Sequence, residues 1–82
     1  MVNRALEIAI LKILNRVPTG LREKTLQSEV EIAMDRPTLT SEEFLDSLIS
    51  LEDRALVDKW VNLIGDTVWG ITQMGGDALK GL

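Results

Sequence analysis

Apolar side chains recur at helical spacing through the first two thirds of the chain, and the period then changes to two. From Asn3 to Val17 there is neither Gly nor Pro. At about 100° per residue Leu6, Ala9, Ile10, Ile13, Leu14 and Val17 share one face. Arg4, Glu7, Lys12, Asn15 and Arg16 line the other, with Ile8 and Leu11 set among them as an i, i+3 pair. Pro18-Thr19-Gly20 ends this first helix, since proline removes a donor and glycine frees the backbone. A second helix is predicted from about Glu23 to Met34, with Leu26, Val30, Ala33 and Met34 as its stripe. Leu21-Arg22 reads as a short extended piece before it. Asp35-Arg36-Pro37 closes it, because the residue before proline is pushed out of the helical region.

The third helix carries the clearest start signal. Thr40-Ser41-Glu42-Glu43 fits a capping box, with Thr40 as the cap and Glu43 answering it. Two carboxylates in the first turn also suit the positive end of the helix dipole. Phe44, Leu48, Leu51 and Ala55, widened by Leu45, form the stripe expected to be buried, and the helix fades near Ala55-Leu56. Beyond it Val57 to Ile64 and Thr67 to Thr72 are β-rich runs joined at the turn dipeptide Gly65-Asp66. With those two at the tip, Ile64 faces Thr67, Asn62 faces Trp69 and Trp60 faces Ile71. One side of the hairpin then carries Trp60, Ile64, Trp69 and Ile71, which predicts a core-packed tryptophan pair. The other carries Val61, Leu63 and Val68. The tail, Gly75 to Leu82, has room for one or two helical turns through Asp77-Ala78-Leu79.

Three helices and a hairpin, in this order and size, resemble a winged helix-turn-helix domain. Leu48-Ile49-Ser50-Leu51-Glu52-Asp53-Arg54-Ala55-Leu56-Val57 resembles the stretch in which that family ends its third helix and begins its first wing strand. The family usually has glycine where Ala55 stands. Trp69-Gly70-Ile71-Thr72-Gln73-Met74-Gly75 resembles the close of the wing, where an apolar-Thr-x-x-Gly pattern turns into a terminal helix. The likeness implies an α+β, mostly α fold over residues 1–82: a three-helix winged helix-turn-helix with a C-terminal hairpin wing and a short terminal helix. It also implies a third helix that lies in the DNA major groove, a wing that contacts the backbone, and dimerisation through the first and last helices.

Charge sets itself against the first of these. The chain has 82 residues and a formal charge of −4 at pH 7. Residues 37–82 hold three basic and eight acidic residues, while residues 1–36 hold six and five. The face of the third helix opposite its apolar stripe is Glu42, Glu43, Asp46, Ser47, Ser50, Asp53 and Arg54, and the wing turn brings Asp66. Each carboxylate brought to phosphate loses solvation and gains repulsion, the reverse of counterion release. The cations available for phosphate are Arg22, Lys24, Arg36, Arg54 and Lys59, whose plain alternative is solvated surface charge.

Catalysis and metals find little footing. Cys and His are both absent, which excludes disulfides, zinc knuckles, haem ligation, Cys nucleophiles and His-based triads. Gly75-Gly76 lacks the spacing and lysine of a phosphate loop, and Glu42, Glu43 and Asp46 have no calcium-loop spacing. The expectation is therefore a non-enzymatic module with no cofactor, metal or small-molecule substrate. Glu7 and Lys12 interrupt any signal-peptide core, and no run approaches the ~18 apolar residues of a membrane span, so the cytoplasm is the expected site. Ile8 and Leu11 on the first helix, with Val61, Leu63 and Val68 on the hairpin, are apolar positions the domain has no evident means to cover. They point to a homodimer or a protein partner in transcription, replication or phage biology. The alternative is a DNA-binding transcriptional regulator that uses the third helix and wing.

Overall fold

Short-range hydrogen bonds set most of the helix ends in the structure, a computed structural model that describes residues 3–36 and 39–82. Helix α1, Arg4–Asn15, opens at Asn3, whose side chain accepts from the Leu6 N–H at 3.1 Å. It stops before the predicted Val17 because Arg16 and Val17 donate to the carbonyls three residues back, Ile13 and Leu14, which tightens the turn ahead of Pro18. Strand β1 is the two-residue piece Leu21–Arg22, and helix α2 follows at once as Glu23–Met34. Asp35 closes α2 in the left-handed region, φ 52°, where the Arg36 N–H reaches back to Glu31. Pro37, to which the sequence assigns this stop, lies outside the described residues.

Helix α3, Ser41–Asp53, is capped as its sequence predicts: the Thr40 hydroxyl accepts from the Glu43 N–H at 3.1 Å. The reciprocal half of the box is not made. The Glu43 carboxylate instead takes Arg36, with Nη2 at 3.1 Å from both oxygens. Strands β2, Val57–Val61, and β3, Thr67–Ile71, form the hairpin, and helix α4 spans Gln73–Lys80. Thr72 joins the end of β3 to the corner between α3 and β2. Its hydroxyl donates to the Ala55 carbonyl at 2.6 Å and accepts from the Gly75 N–H at 3.0 Å, while its own N–H reaches the Leu56 carbonyl. A Cβ on Gly75 would run into that Leu56 carbonyl, so the Thr-x-x-Gly pattern serves close packing of backbone on backbone.

The sheet is antiparallel in the order β1-β3-β2. Its register differs from the predicted one. Trp60 opposes Val68 and Lys59 opposes Trp69, three places from the pairing that a two-residue turn at Gly65-Asp66 would give. The cause is Asn62, whose side-chain oxygen accepts from the Ile64 N–H at 3.1 Å and the Asp66 N–H at 2.9 Å. Its backbone N–H donates to the Asp66 carbonyl, and Gly65 takes φ +88°. The tip is thus a five-residue turn, Asn62 to Asp66. A shift by an odd number of residues changes which residues share a face, so the two tryptophans part. Trp69 goes into the core, 2% exposed, its indole N–H donating to Glu23 at 2.9 Å. Trp60 lies on the opposite face, 43% exposed. There it rests on glycine backbone: a Cβ on Gly20 would come within 2.9 Å of its ring, and one on Gly70 within 2.8 Å.

The core runs from Leu6, Ile10 and Leu14 of α1 through Leu26 and Val30 of α2 to Phe44, Leu48 and Leu51 of α3, closed by Val57 and Trp69 of the sheet. Helix α1 packs against α2, α3, α4 and β3, so most of its circumference is covered. That is why Leu11, set among polar residues in the sequence, is only 5% exposed. Ser47, assigned to the polar face of the third helix, is 2% exposed for the same reason of enclosure, whereas Ala55, assigned to the apolar stripe, is exposed.

Ala55 follows α3 at φ +61° and so holds the left-handed position where a side chain is strained by about 1–2 kcal/mol. Ala55→Gly relieves this strain and regains some unfolded-state entropy against itself. The expected net gain is about 0.5–1 kcal/mol, read as a higher urea midpoint at unchanged slope; a lower midpoint refutes the strain.

Candidate contact face on the third helix and wing

Helix α3 enters the fold by its Phe44-Leu48-Leu51 side, which leaves Glu42, Asp46, Ile49 and Asp53 exposed on the other. The hairpin adds an apolar extremity beside this acidic face. Leu63 and Ile64 protrude from the Asn62 turn, Leu63 fully exposed, and Val61 continues the apolar surface along β2. The turn that carries these tip residues is closed by hydrogen bonds to the side chain and backbone of Asn62.

Four of the five candidate phosphate contacts are paired with the protein's own carboxylates. Arg22 lies 3.4 Å from Asp66, an exposed pair that ties β1 to the wing turn. Arg36 holds Glu43 at 3.1 Å. Lys59 stands 3.7 Å from Glu52 and 5.5 Å from the centroid of the Trp69 ring. Arg54 reaches back across the domain to Glu7 of α1 at 2.6 Å, and also donates to the Ser50 carbonyl and hydroxyl. Lys24 is exposed, with no ion pair among the described residues. The exposed Arg22–Asp66 pair contributes at most about 1 kcal/mol, and the Arg36–Glu43 and Lys59–Glu52 pairs are only partly buried, so these three do not lock their side chains. Their effect is on the field: each cation carries a carboxylate with it.

Glu7 is the residue that sequence reading missed. Its side chain is 7% exposed, with one oxygen on Arg54 and Oε2 buried without a partner. It reads as one of several polar residues on α1, and only the approach of α3 makes it an anchor for Arg54. The buried carboxylate is costly unless charge and hydrogen bonding offset it, and half of that requirement is met.

The predicted protein contacts separate into three groups. Val61 and Leu63 are exposed on the wing, as expected of contact residues. Leu11 and Val68 are not available: Leu11 is in the core, and Val68 is 7% exposed between β1 and Trp60. Ile8 is half-buried and lines an open groove of about 670 Å³ between α1, α2 and α4, with Ala5, Ala9, Ala33 and Leu79. Ile64 belongs with Val61 and Leu63, although the predicted turn placed it on the tryptophan side. Among the described residues no three acidic side chains come together as a metal site, and no helix is long and apolar enough to cross a membrane.

Known structures share this architecture. Over 96% of the chain the fold matches the PcaV transcriptional regulator of Streptomyces coelicolor, solved with its natural ligand, at a TM-score of 0.79 and 20% identity. A MarR-family transcriptional regulator from Silicibacter pomeroyi matches over 93% at 0.76 and 18% identity. A transcriptional regulator from Clostridium thermocellum matches over 92% at 0.75 and 17% identity. The chain spans 52%, 47% and 75% of those three chains, respectively. No protein-family model and no curated protein matches the sequence. From the element order, the three-stranded antiparallel sheet and these likenesses, the chain is identified as a winged helix-turn-helix fold of the α+β class, with α3 as its third helix and the β2–β3 hairpin as its wing.

Proposed function

We propose that this chain is a regulatory winged helix that works by binding and not by catalysis, and that α3 and the wing meet a protein partner. The observation that carries the reading is the pairing of Arg22, Arg36, Arg54 and Lys59 with Asp66, Glu43, Glu7 and Glu52. A surface whose cations are already neutralised by its own carboxylates gains little from counterion release. What it offers a partner instead is the exposed apolar series Val61, Leu63 and Ile64 beside acidic side chains. Apolar residues held on a pre-formed turn bind with little ordering cost, the property that makes protein contact sites strong. A second copy of the chain is the other candidate protein, and the groove beside Ile8 is the surface on which it would sit.

Duplex DNA, gripped by α3 and the wing with Arg22, Lys24, Arg36, Arg54 and Lys59 on phosphate, is the second reading. It is favoured by the likeness of the fold to transcriptional regulators along nearly all of the chain. Fluorescence anisotropy with random and palindromic duplexes distinguishes the two. The protein-partner reading expects no binding below ~10⁻⁴ M at physiological salt. Micromolar or tighter binding that falls steeply with salt, and falls further for Arg54→Ala or Lys59→Ala, overturns it in favour of DNA.

The charge argument also predicts a gain. Glu42, Asp46 and Asp53 are exposed and their replacement by lysine disturbs no core contact. The triple variant should acquire salt-dependent duplex binding, with a slope of log affinity on log salt near −0.9 for each phosphate newly contacted. If the variant folds and still ignores DNA, the shape of α3 and the wing, and not their charge, is what excludes it.

A further inference from the structure

Strand β2 lies at the edge of the sheet, since the order is β1-β3-β2. Which of its backbone groups are free follows from the ladder. Asn62 donates to Asp66, and Thr72 donates to Leu56, which marks residues of even number on this strand as the ones bonded to β3. The N–H and C=O groups of Lys59 and Val61 therefore point away from the sheet, and both residues are exposed. Proteins usually blunt such an edge with charge, proline or a covering segment. Here Lys59 supplies one charge, but its ammonium is drawn to Glu52 and the Trp69 ring, and the outer half of the edge is Val61 followed by Leu63 and Ile64.

We infer that the open edge of β2 takes an extended, basic segment of a partner protein as a fourth, antiparallel strand of the sheet. This rests on the protein-partner reading and adds the mode and the chemistry of the partner. The two faces of β2 specify the alternation of that segment. On one face Asp58 and the half-exposed Trp60 stand two residues apart. An arginine beside them meets a carboxylate and lies against an indole, two attractions to the same guanidinium. On the other face the strand meets Lys59 and Val61, where an aliphatic side chain covers Val61 and extends the apolar surface toward Leu63. Main-chain hydrogen bonds to Lys59 and Val61 give affinity, and the alternating side chains give selectivity. The net charge of this half of the chain, eight acidic against three basic residues, agrees with a basic partner.

The test is a short synthetic peptide of alternating valine and arginine, titrated into the full 15N-labelled chain. It should shift the amides of residues 59–64 and slow hydrogen exchange at Lys59 and Val61. N-methylation of the valines, whose N–H groups would face β2, should weaken binding at least tenfold, while N-methylation of the arginines changes it little. Val61→Pro removes an edge donor that β3 does not use, so the hairpin shifts should persist while affinity falls at least tenfold. Asp58→Lys should also weaken the peptide. No shift at millimolar peptide, equal binding of a blocked Val-Arg sequence, or indifference to N-methylation and to Val61→Pro each overturns the added strand. Peptide shifts confined to α3 overturn it too, yet leave the protein-partner reading standing; steep salt-dependent duplex binding at the same amides removes both. A chain that is dimeric by sedimentation and made monomeric by Val61→Pro would place a second copy on the edge and overturn the basic segment as its occupant.

Discussion

The side-chain oxygen of Asn62 accepts from two backbone N–H groups, and the wing turns over five residues because of it. A two-residue turn at Gly65-Asp66 would pair Trp60 with Ile71; the longer turn pairs it with Val68. Strand faces alternate with period two, so that displacement decides the side of the sheet each wing residue occupies. Trp69 is sent to the core, where Glu23 takes its N–H, and Trp60 is sent outward onto Gly20 and Gly70. The same register aims the backbone of Lys59 and Val61 away from the sheet and leaves Leu63 and Ile64 at the extremity. The place of Trp69 in the core, the apolar tip of the wing and the open edge of β2 all follow from the register that this carboxamide helps to set.

The second organising constraint is electrostatic. In a winged helix made to hold phosphate, cations on α3 and the wing would stand apart from acids and release counterions on contact. In this chain the guanidinium of Arg54 pairs with the buried Glu7 on α1, and Arg22 is tied to the turn by Asp66. The shape is one shared with transcriptional regulators, while four of the cations on or beside α3 and the wing are paired with the protein's own carboxylates. Shape and charge are separable because the hydrophobic stripe of α3 fixes how it docks, while its outer residues Glu42, Asp46 and Asp53 contribute almost nothing to that docking.

The helices were legible in the sequence because their signals are local. Thr40 four residues before Phe44 announces both the start and the buried face of α3, and Glu23–Met34 follows from apolar spacing alone. The short strand at Leu21–Arg22 and the helix after Thr72 were also within reach of local pattern. What escaped was non-local. Leu11 looks like an exposed residue until α4 and the sheet close over α1, and Ser47 looks solvated until the same core reaches it. Glu7 acquires its role only from a residue far along the chain. The hairpin register escaped for a different reason: Gly65-Asp66 is a strong turn signal, and nothing in composition says that an asparagine three places earlier will outbid it with two hydrogen bonds.

The corner between α3 and β2 shows how far a resemblance can carry a physical argument. Ala55 stands where related folds usually place glycine, and its φ of +61° gives the reason: the chain must pass through the left-handed region to turn from helix into strand. Alanine is tolerated there because the corner is held from outside. Thr72 donates to the Ala55 carbonyl and to that of Leu56, and Gly75 lies close enough to Leu56 to exclude a Cβ. Those bonds hold the start of β2 against the end of β3. They therefore anchor the base of the wing while Asn62 sets its tip, and the strand between them, with its open edge at Lys59 and Val61, is fixed at both ends before any partner arrives. An edge so held needs no ordering to accept another strand, which makes it a stronger candidate contact than the same residues on a mobile loop would be.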